Sequence, residues 1–220
     1  MPKLYLLGGE NVSQRSAKEI NQKAFADTSK PLNVLVFPWA RASFDKNCCS
    51  RKLFTGYMRS LGALSVEYVE YGESADVVTE KMATSNLIYL TGGQPSILIE
   101  RIKTAGLEHL LETYDGVIVG RSAGALALCS RFISTIRNTS KVRVTPGLGL
   151  ASITLKVHYT SQKDETMRQL SLVETIFALP QGSALISNNG KFYTMGKVYV
   201  FRNGERQLFS GTLNQSIDGF

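Results

Sequence analysis

Residues Gly116–Leu128 read GVIVGRSAGALAL. Val117, Ile118 and Val119 make a short continuous apolar run of the kind that fills a buried strand. Gly120 and Gly124 then bracket Ser122, and Ala123, Ala125 and Ala127 open a segment able to pack closely as a helix. A strand, a tight glycine-flanked corner and a helix form the G-x-S-x-G context, which projects a serine hydroxyl beyond the end of a sheet strand. The alternative is a serine that caps the following helix. Capping alone does not call for glycine on both sides.

The same alternation recurs outward from this stretch. KLYLLGG (3–9), NVLVFPWA (33–40), LSVEYVEYG (64–72) and NLIYLTGG (86–93) are short apolar runs, and helix-compatible segments separate them. Among these segments, SILIERIKTAGLEHLLETY is the helix-like stretch before GVIVG. Buried strands alternating with helices predict an α/β fold, a mostly parallel sheet with helices on both faces. After Pro180 the pattern changes to SALIS, KFYTM, KVYVF and RQLFSG, with NNGK and RNGE as turn signals, so the chain is expected to finish in β-hairpins. No linker or repeat interrupts residues 1–220, which are expected to form a single domain. Ligands of such sheets bind beyond the carboxyl ends of the strands. Here those ends read GGEN, PWARAS, LTGGQP and GRSAG.

Composition narrows the function. The three cysteines, Cys48, Cys49 and Cys129, are odd in number and lack metal spacing, and there are only two histidines. No metal or cofactor is expected, and a reducing, cytoplasmic setting is. No apolar run reaches the length of a membrane span, and the first ten residues do not read as a signal peptide. The net charge is +7, and residues 116–163 carry all of it: Arg121, Arg131, Arg137, Lys141, Arg143, Lys156 and Lys163, with no Asp or Glu. Such a field draws an acidic substrate if the charges converge on a cleft, and is a solvated surface if they do not. No motif or aromatic interleaving points to nucleic acid.

A serine nucleophile needs a base. His109 lies in a helical pattern and reads as a surface residue. His158 ends the apolar run ITLKV, which places it at a strand end.

Four separated stretches, LIYLTGGQPSILIERI, GVIVGRSAGALAL, VHYTSQKDET and FALPQGSAL, resemble the peptidase E and cyanophycinase family of serine peptidases. Their order and spacing match from about Leu4 to Phe201. The resemblance implies a fold related to class I glutamine amidotransferases, with Ser122 as nucleophile and His158 as base. It also implies oxyanion-hole N–H groups from Gly93 and Ala123, and Gln94 near the substrate. Two positions depart from the family. Where peptidase E carries L-P-E-G, this chain has Leu179-Pro180-Gln181-Gly182, so the expected third member of the triad is Gln181, an amide without charge. Where peptidase E selects an N-terminal aspartate with a loop arginine, this chain has Met167, with Arg168 beside it as the substrate-binding candidate. The expectation is a serine peptidase acting on small, acidic or other peptides. The alternatives are a catalytically weakened binding protein on the same scaffold and a non-peptidase esterase or amidase. The oligomeric state is left open.

Overall fold

The structure, a computed structural model, describes residues 1–41, 49–135 and 142–211. Cys48, Arg137 and Lys141 therefore lie outside the described residues. Five parallel strands open the fold: β1 (Lys3–Leu7), β2 (Asn33–Phe37), β3 (Ser65–Tyr68), β4 (Leu87–Leu90) and β5 (Val117–Arg121), in the order β3-β2-β4-β5-β1. Side chains alternate across this sheet, as strand geometry requires. Leu4, Leu6, Leu35, Phe37, Ile88, Leu90 and Ile118 face one core. Tyr5, Leu7, Val34, Val36, Tyr89, Val117 and Val119 face the other. Helices α3 (Ala75–Thr84), α4 (Pro95–Thr104), α5 (Glu108–Thr113) and α6 (Ala123–Leu128) cover the first face. Helices α1 (Lys18–Ala26) and α2 (Cys49–Ser60) cover the second. None of the helices described is long and apolar enough to cross a membrane.

The second half is more mixed than a parallel sheet. It comprises β6 (Cys129–Thr135), β7 (Val142–Pro146), β8 (Ala151–Val157), helix α7 (Asp164–Leu170), β9 (Ile176–Leu179), β10 (Ala184–Asn188), β11 (Lys191–Arg202) and β12 (Glu205–Gly211). The pairs β6–β8 and β8–β9 are parallel. An antiparallel seam, β1–β10–β11–β9, joins this half to the first.

One expected element boundary is corrected. KFYTM and KVYVF are one strand, β11: Gly196, at φ 74°, bends the chain between its two halves instead of ending it. The helix-like stretch before β5 divides into α4 and α5. Leu107 N–H donates to Ile102 O at 3.1 Å and Gly106 N–H to Lys103 O at 3.0 Å, the paired bonds of a Schellman stop. Both turn signals hold: Asn189–Gly190 and Asn203–Gly204 all take positive φ, the conformation of a two-residue hairpin turn.

Candidate active site

Strand β5 ends in a sharp corner. Ser122 sits at φ 52°, ψ −104°, a region a non-glycine residue occupies only where its surroundings hold it there. Its N–H donates to Leu7 O at 3.1 Å, and its carbonyl accepts from Leu126 N–H at 3.0 Å as α6 begins. The flanking glycines let the helix approach. A Cβ on Gly120 would lie 2.6 Å from Ala125 N, and one on Gly124 would lie 2.3 Å from Leu90 O. The Ser122 side chain makes no capping bond to α6. Its Oγ lies 2.7 Å from His158 Nε2 instead, so the capping alternative is set aside.

His158 directly follows β8 and is also held at positive φ, 51°. Its N–H donates to Gly8 O at 3.0 Å, and the next residue, Tyr159, donates to Leu179 O at 3.0 Å. The ring packs on Gly9, where a Cβ would stand 2.3 Å from Cε1 and 2.7 Å from Nδ1. One edge of the imidazole is open to solvent, but this packing strips water from the rest of the ring. Desolvation, and secondarily the Lys156 ammonium, hold its pKa below the ordinary histidine value. Lys156 precedes it by two residues, near the end of β8; it is buried and donates to Thr135 Oγ1 at 3.3 Å. A neutral imidazole whose Nε2 faces a hydroxyl can take that proton. His109 is exposed on α5, its nearest acid Glu112 at 3.8 Å.

The structure does not bring Gln181 to the imidazole, nor Asp164 or Glu165, the acids nearest to it in sequence. Gln181 is exposed, and among the described residues no hydrogen bond joins it to His158. The turn that carries it is fixed by Gly182 N–H donating to Gly9 O at 3.0 Å and Ser183 Oγ donating to Pro180 O at 2.8 Å. This anchoring secures the backbone on either side of Gln181 and leaves its side chain in solvent. Asp164 pairs with Tyr159 and Arg206, and Glu165 accepts from Gln169. Met167 is fully buried against Tyr159, Ile176 and Phe201. Arg168 donates to Gly204 O at 2.8 Å, tying α7 to the β11–β12 turn, and it does not line the cleft in front of Ser122. Gln94 is exposed, spends its N–H on Ala40 O at 2.7 Å, and likewise lies off that cleft.

The cleft itself has a volume of about 480 Å³ and opens beyond the carboxyl ends of β1–β5. Ser122, His158, Gly92 and Gly93 line it together with Glu10, Arg41, Phe54, Tyr68 and Arg121. The Ala123 N–H lies in the first turn of α6, where backbone donors have no intrahelical acceptor. Glu10, Phe54 and Tyr68 were not singled out from sequence; the only signal for Glu10 was its place in the polar strand end GGEN. Among its described residues the basic segment does not converge here. Arg121 reaches the cleft, Arg131 pairs with Glu174 at 3.3 Å, Lys156 is buried and Arg143 is exposed on β7.

A strained serine elbow, an imidazole on its hydroxyl and a cleft at the strand ends are the parts of an α/β serine hydrolase. Comparison with known proteins narrows this class. The chain belongs to peptidase family S51, whose model matches residues 4–195, and it is a serine-type peptidase. It is 29% identical over 151 residues to an uncharacterized peptidase of Listeria monocytogenes, covering 65% of this chain and 73% of that one. The fold is similar to the crystal structure of a peptidase from an acI-B1 actinobacterium, with TM-score 0.75, 18% identity, and 99% and 96% of the two chains covered. It is also similar to a peptidase E candidate from Listeria monocytogenes EGD-e, with TM-score 0.67, 20% identity, and 88% and 98% covered.

Proposed function

We propose that this peptidase cleaves small peptides with Ser122 as nucleophile and His158 as its base, working as a dyad. The observation that carries this reading is the 2.7 Å contact between Oγ and Nε2 at a strained elbow. Ser122 Oγ attacks the scissile carbonyl and passes its proton to Nε2. The N–H groups of Ala123 and Gly93 hold the oxyanion. His158 then protonates the leaving amine, and water, activated by the same imidazole, hydrolyses the acyl-enzyme. A cleft of about 480 Å³ suits a ligand of a few residues.

The test is covalent labelling with a fluorophosphonate, followed by hydrolysis of a dipeptide library. An adduct mapped to Ser122, with turnover of dipeptides, is the expected result. An unlabelled Ser122 overturns the mechanism and favours a binding protein on this scaffold. A labelled Ser122 with ester turnover but no peptide turnover favours an esterase.

Two further results follow from the geometry. The base works only when neutral, and a depressed pKa keeps it neutral to lower pH. The acidic limb of the kcat/KM profile therefore falls below pH 6.5, the ordinary histidine value. A limb above 6.5 contradicts this environment for His158. Gln181→Ala, at a side chain with no bond to the ring, leaves kcat within about threefold of the parent. A loss of about 10⁴-fold, the scale of an acid-to-amide change in a working triad, would restore Gln181 as the third member.

A further inference from the structure

The loop after β2 meets the glycine pair of the cleft through one carbonyl. Ala40 is fully buried, and its O accepts from Gln94 N–H at 2.7 Å. The same oxygen presses on Gly93: a Cβ there would stand 2.3 Å from Ala40 O and 2.8 Å from Ala40 C. Gly93 N–H, by contrast, has no acceptor among the described residues. It is a donor left over for a ligand, on a residue that lines the cleft with Ser122. Gly92 and Gly93 carry no side chains to fix them, and glycine backbone moves readily between conformations. The direction of that N–H therefore depends on the Ala40 carbonyl, which holds both Gly93 and the peptide plane after it.

Arg101 holds Ala40 from behind. It lies in the last turn of α4, the helix that begins directly after Gln94. Its Nη1 donates to Trp39 O at 3.1 Å and to Arg41 O at 2.9 Å, so one nitrogen spends both its hydrogens on the carbonyls either side of Ala40. The intervening Ala40 carbonyl is the one left to face Gly93 and Gln94. No carboxylate among the described residues pairs with Arg101. Its charge is spent on two backbone oxygens, as charge-assisted bonds stronger than neutral ones. The clamp is itself fixed in place. The guanidinium lies 4.5 Å from the centroid of the Tyr71 ring, Tyr71 meets Trp39 edge-on at 5.7 Å, and Trp39 Nε1 donates to Val69 O at 2.9 Å.

We propose that Arg101 is a positioning residue for the oxyanion hole. By clamping residues 39–41 it keeps the Ala40 carbonyl on Gln94, and so keeps the Gly93 N–H facing the oxygen that gains charge when Ser122 attacks. The proposal rests on the Ser122–His158 mechanism and on the oxyanion role of Gly93 given above. Arg101 does not line the cleft, so its effect reaches the reaction only through the backbone. A donor aimed at the oxyanion stabilises the transition state more than the bound substrate. Its misplacement therefore lowers kcat and leaves KM nearly unchanged.

The test is Arg101→Met, which keeps an apolar stem and removes both bonds, beside Arg101→Lys, which keeps the charge but not the planar fork. Steady-state kinetics on a dipeptide are read with the inhibition constant of a peptide aldehyde, whose hemiacetal with Ser122 sets an oxygen in the same hole. Arg101→Met is expected to lower kcat by about 10- to 100-fold, short of the roughly 10²- to 10³-fold cost of deleting an oxyanion donor outright. The aldehyde weakens by a similar factor, and Arg101→Lys recovers part of both. Parental kcat and aldehyde affinity in a folded Arg101→Met overturn the proposal. So does a loss carried by KM, or a fall in kcat with the aldehyde affinity kept. If Arg101→Met does not fold, Arg101→Lys decides by the same two readings. Collapse of both variants makes Arg101 a requirement of the fold and overturns the positioning role. Fluorophosphonate labelling of the parent runs alongside. A labelled Ser122 with parental kinetics in the variants removes only the Arg101 assignment, whereas an unlabelled Ser122 with no hydrolysis removes the mechanism and this proposal with it.

Discussion

Ser122→Ala is expected to lower kcat/KM on a good peptide substrate by about 10⁴- to 10⁶-fold, the range seen when the nucleophile of a serine hydrolase is removed. No other described hydroxyl shares the combination of a strained corner and a 2.7 Å contact with the base. The fold should persist. Alanine keeps the Cβ, and the backbone bonds to Leu7 and Leu126 that hold the corner do not involve the side chain. What is lost is one solvent-accessible hydrogen bond, worth about 1 kcal/mol, so Tm moves by only a few degrees. Steady-state kinetics beside calorimetry measure both quantities. Turnover above a tenth of the parent, in a protein free of parental enzyme, removes Ser122 from the chemistry.

Gly9→Ala should also be damaging, by a smaller factor, although residue 9 has no reactive group. The added methyl would stand 2.3 Å from His158 Cε1 in a backbone at φ 141°, so the imidazole must leave its position against β1. A displacement of about 1 Å at a reacting group costs on the order of 10²-fold in rate. The loss should fall on kcat, because the ring moves relative to Ser122 while the rest of the cleft wall is unchanged. The strained backbone adds a destabilisation of about 1–3 kcal/mol, visible as a lower Tm. Fluorophosphonate labelling of Ser122 should slow in parallel with kcat, since both depend on the same base. Parental kcat in the Gly9→Ala variant would show that the ring tolerates the methyl.

Local features were legible in the sequence because their causes are local. The elbow needs small residues at fixed offsets from one serine, and Gly120, Ser122 and Gly124 supply them within five positions. Strands β1, β2, β4 and β5 are written in consecutive apolar residues, since both faces of each are buried, whereas the edge strand β3 carries Ser65 and Glu67 on its exposed side. The Asn-Gly turns at 189–190 and 203–204 announce themselves by the positive φ they accept. Where reading went astray, the deciding contact came from elsewhere. Nothing in KFYTMGKVYVF says whether Gly196 ends a strand or bends one; its neighbours β10, β9 and β12 decide that.

The same division runs through the site. By itself the sequence determined the fold class, the serine at its corner and the histidine at a strand end, because strand periodicity and turn chemistry act over a few residues. Tertiary structure alone decided which groups meet. It set Nε2 on the hydroxyl 36 residues away in the chain and packed Gly9 behind the ring. It turned Gln181 to solvent in a turn where Gly182 is pinned to Gly9 and Pro180 to Ser183. It buried Met167 and drew Arg168 to the carbonyl of Gly204, since helix α7 packs through that face onto β9 and β11. It also brought Glu10, Asn21, Tyr57 and Tyr89 together from four separate segments. A side chain's direction depends on the rotation of its element against the partners it packs on, and that information is spread over the whole chain rather than carried by the residue's neighbours in sequence.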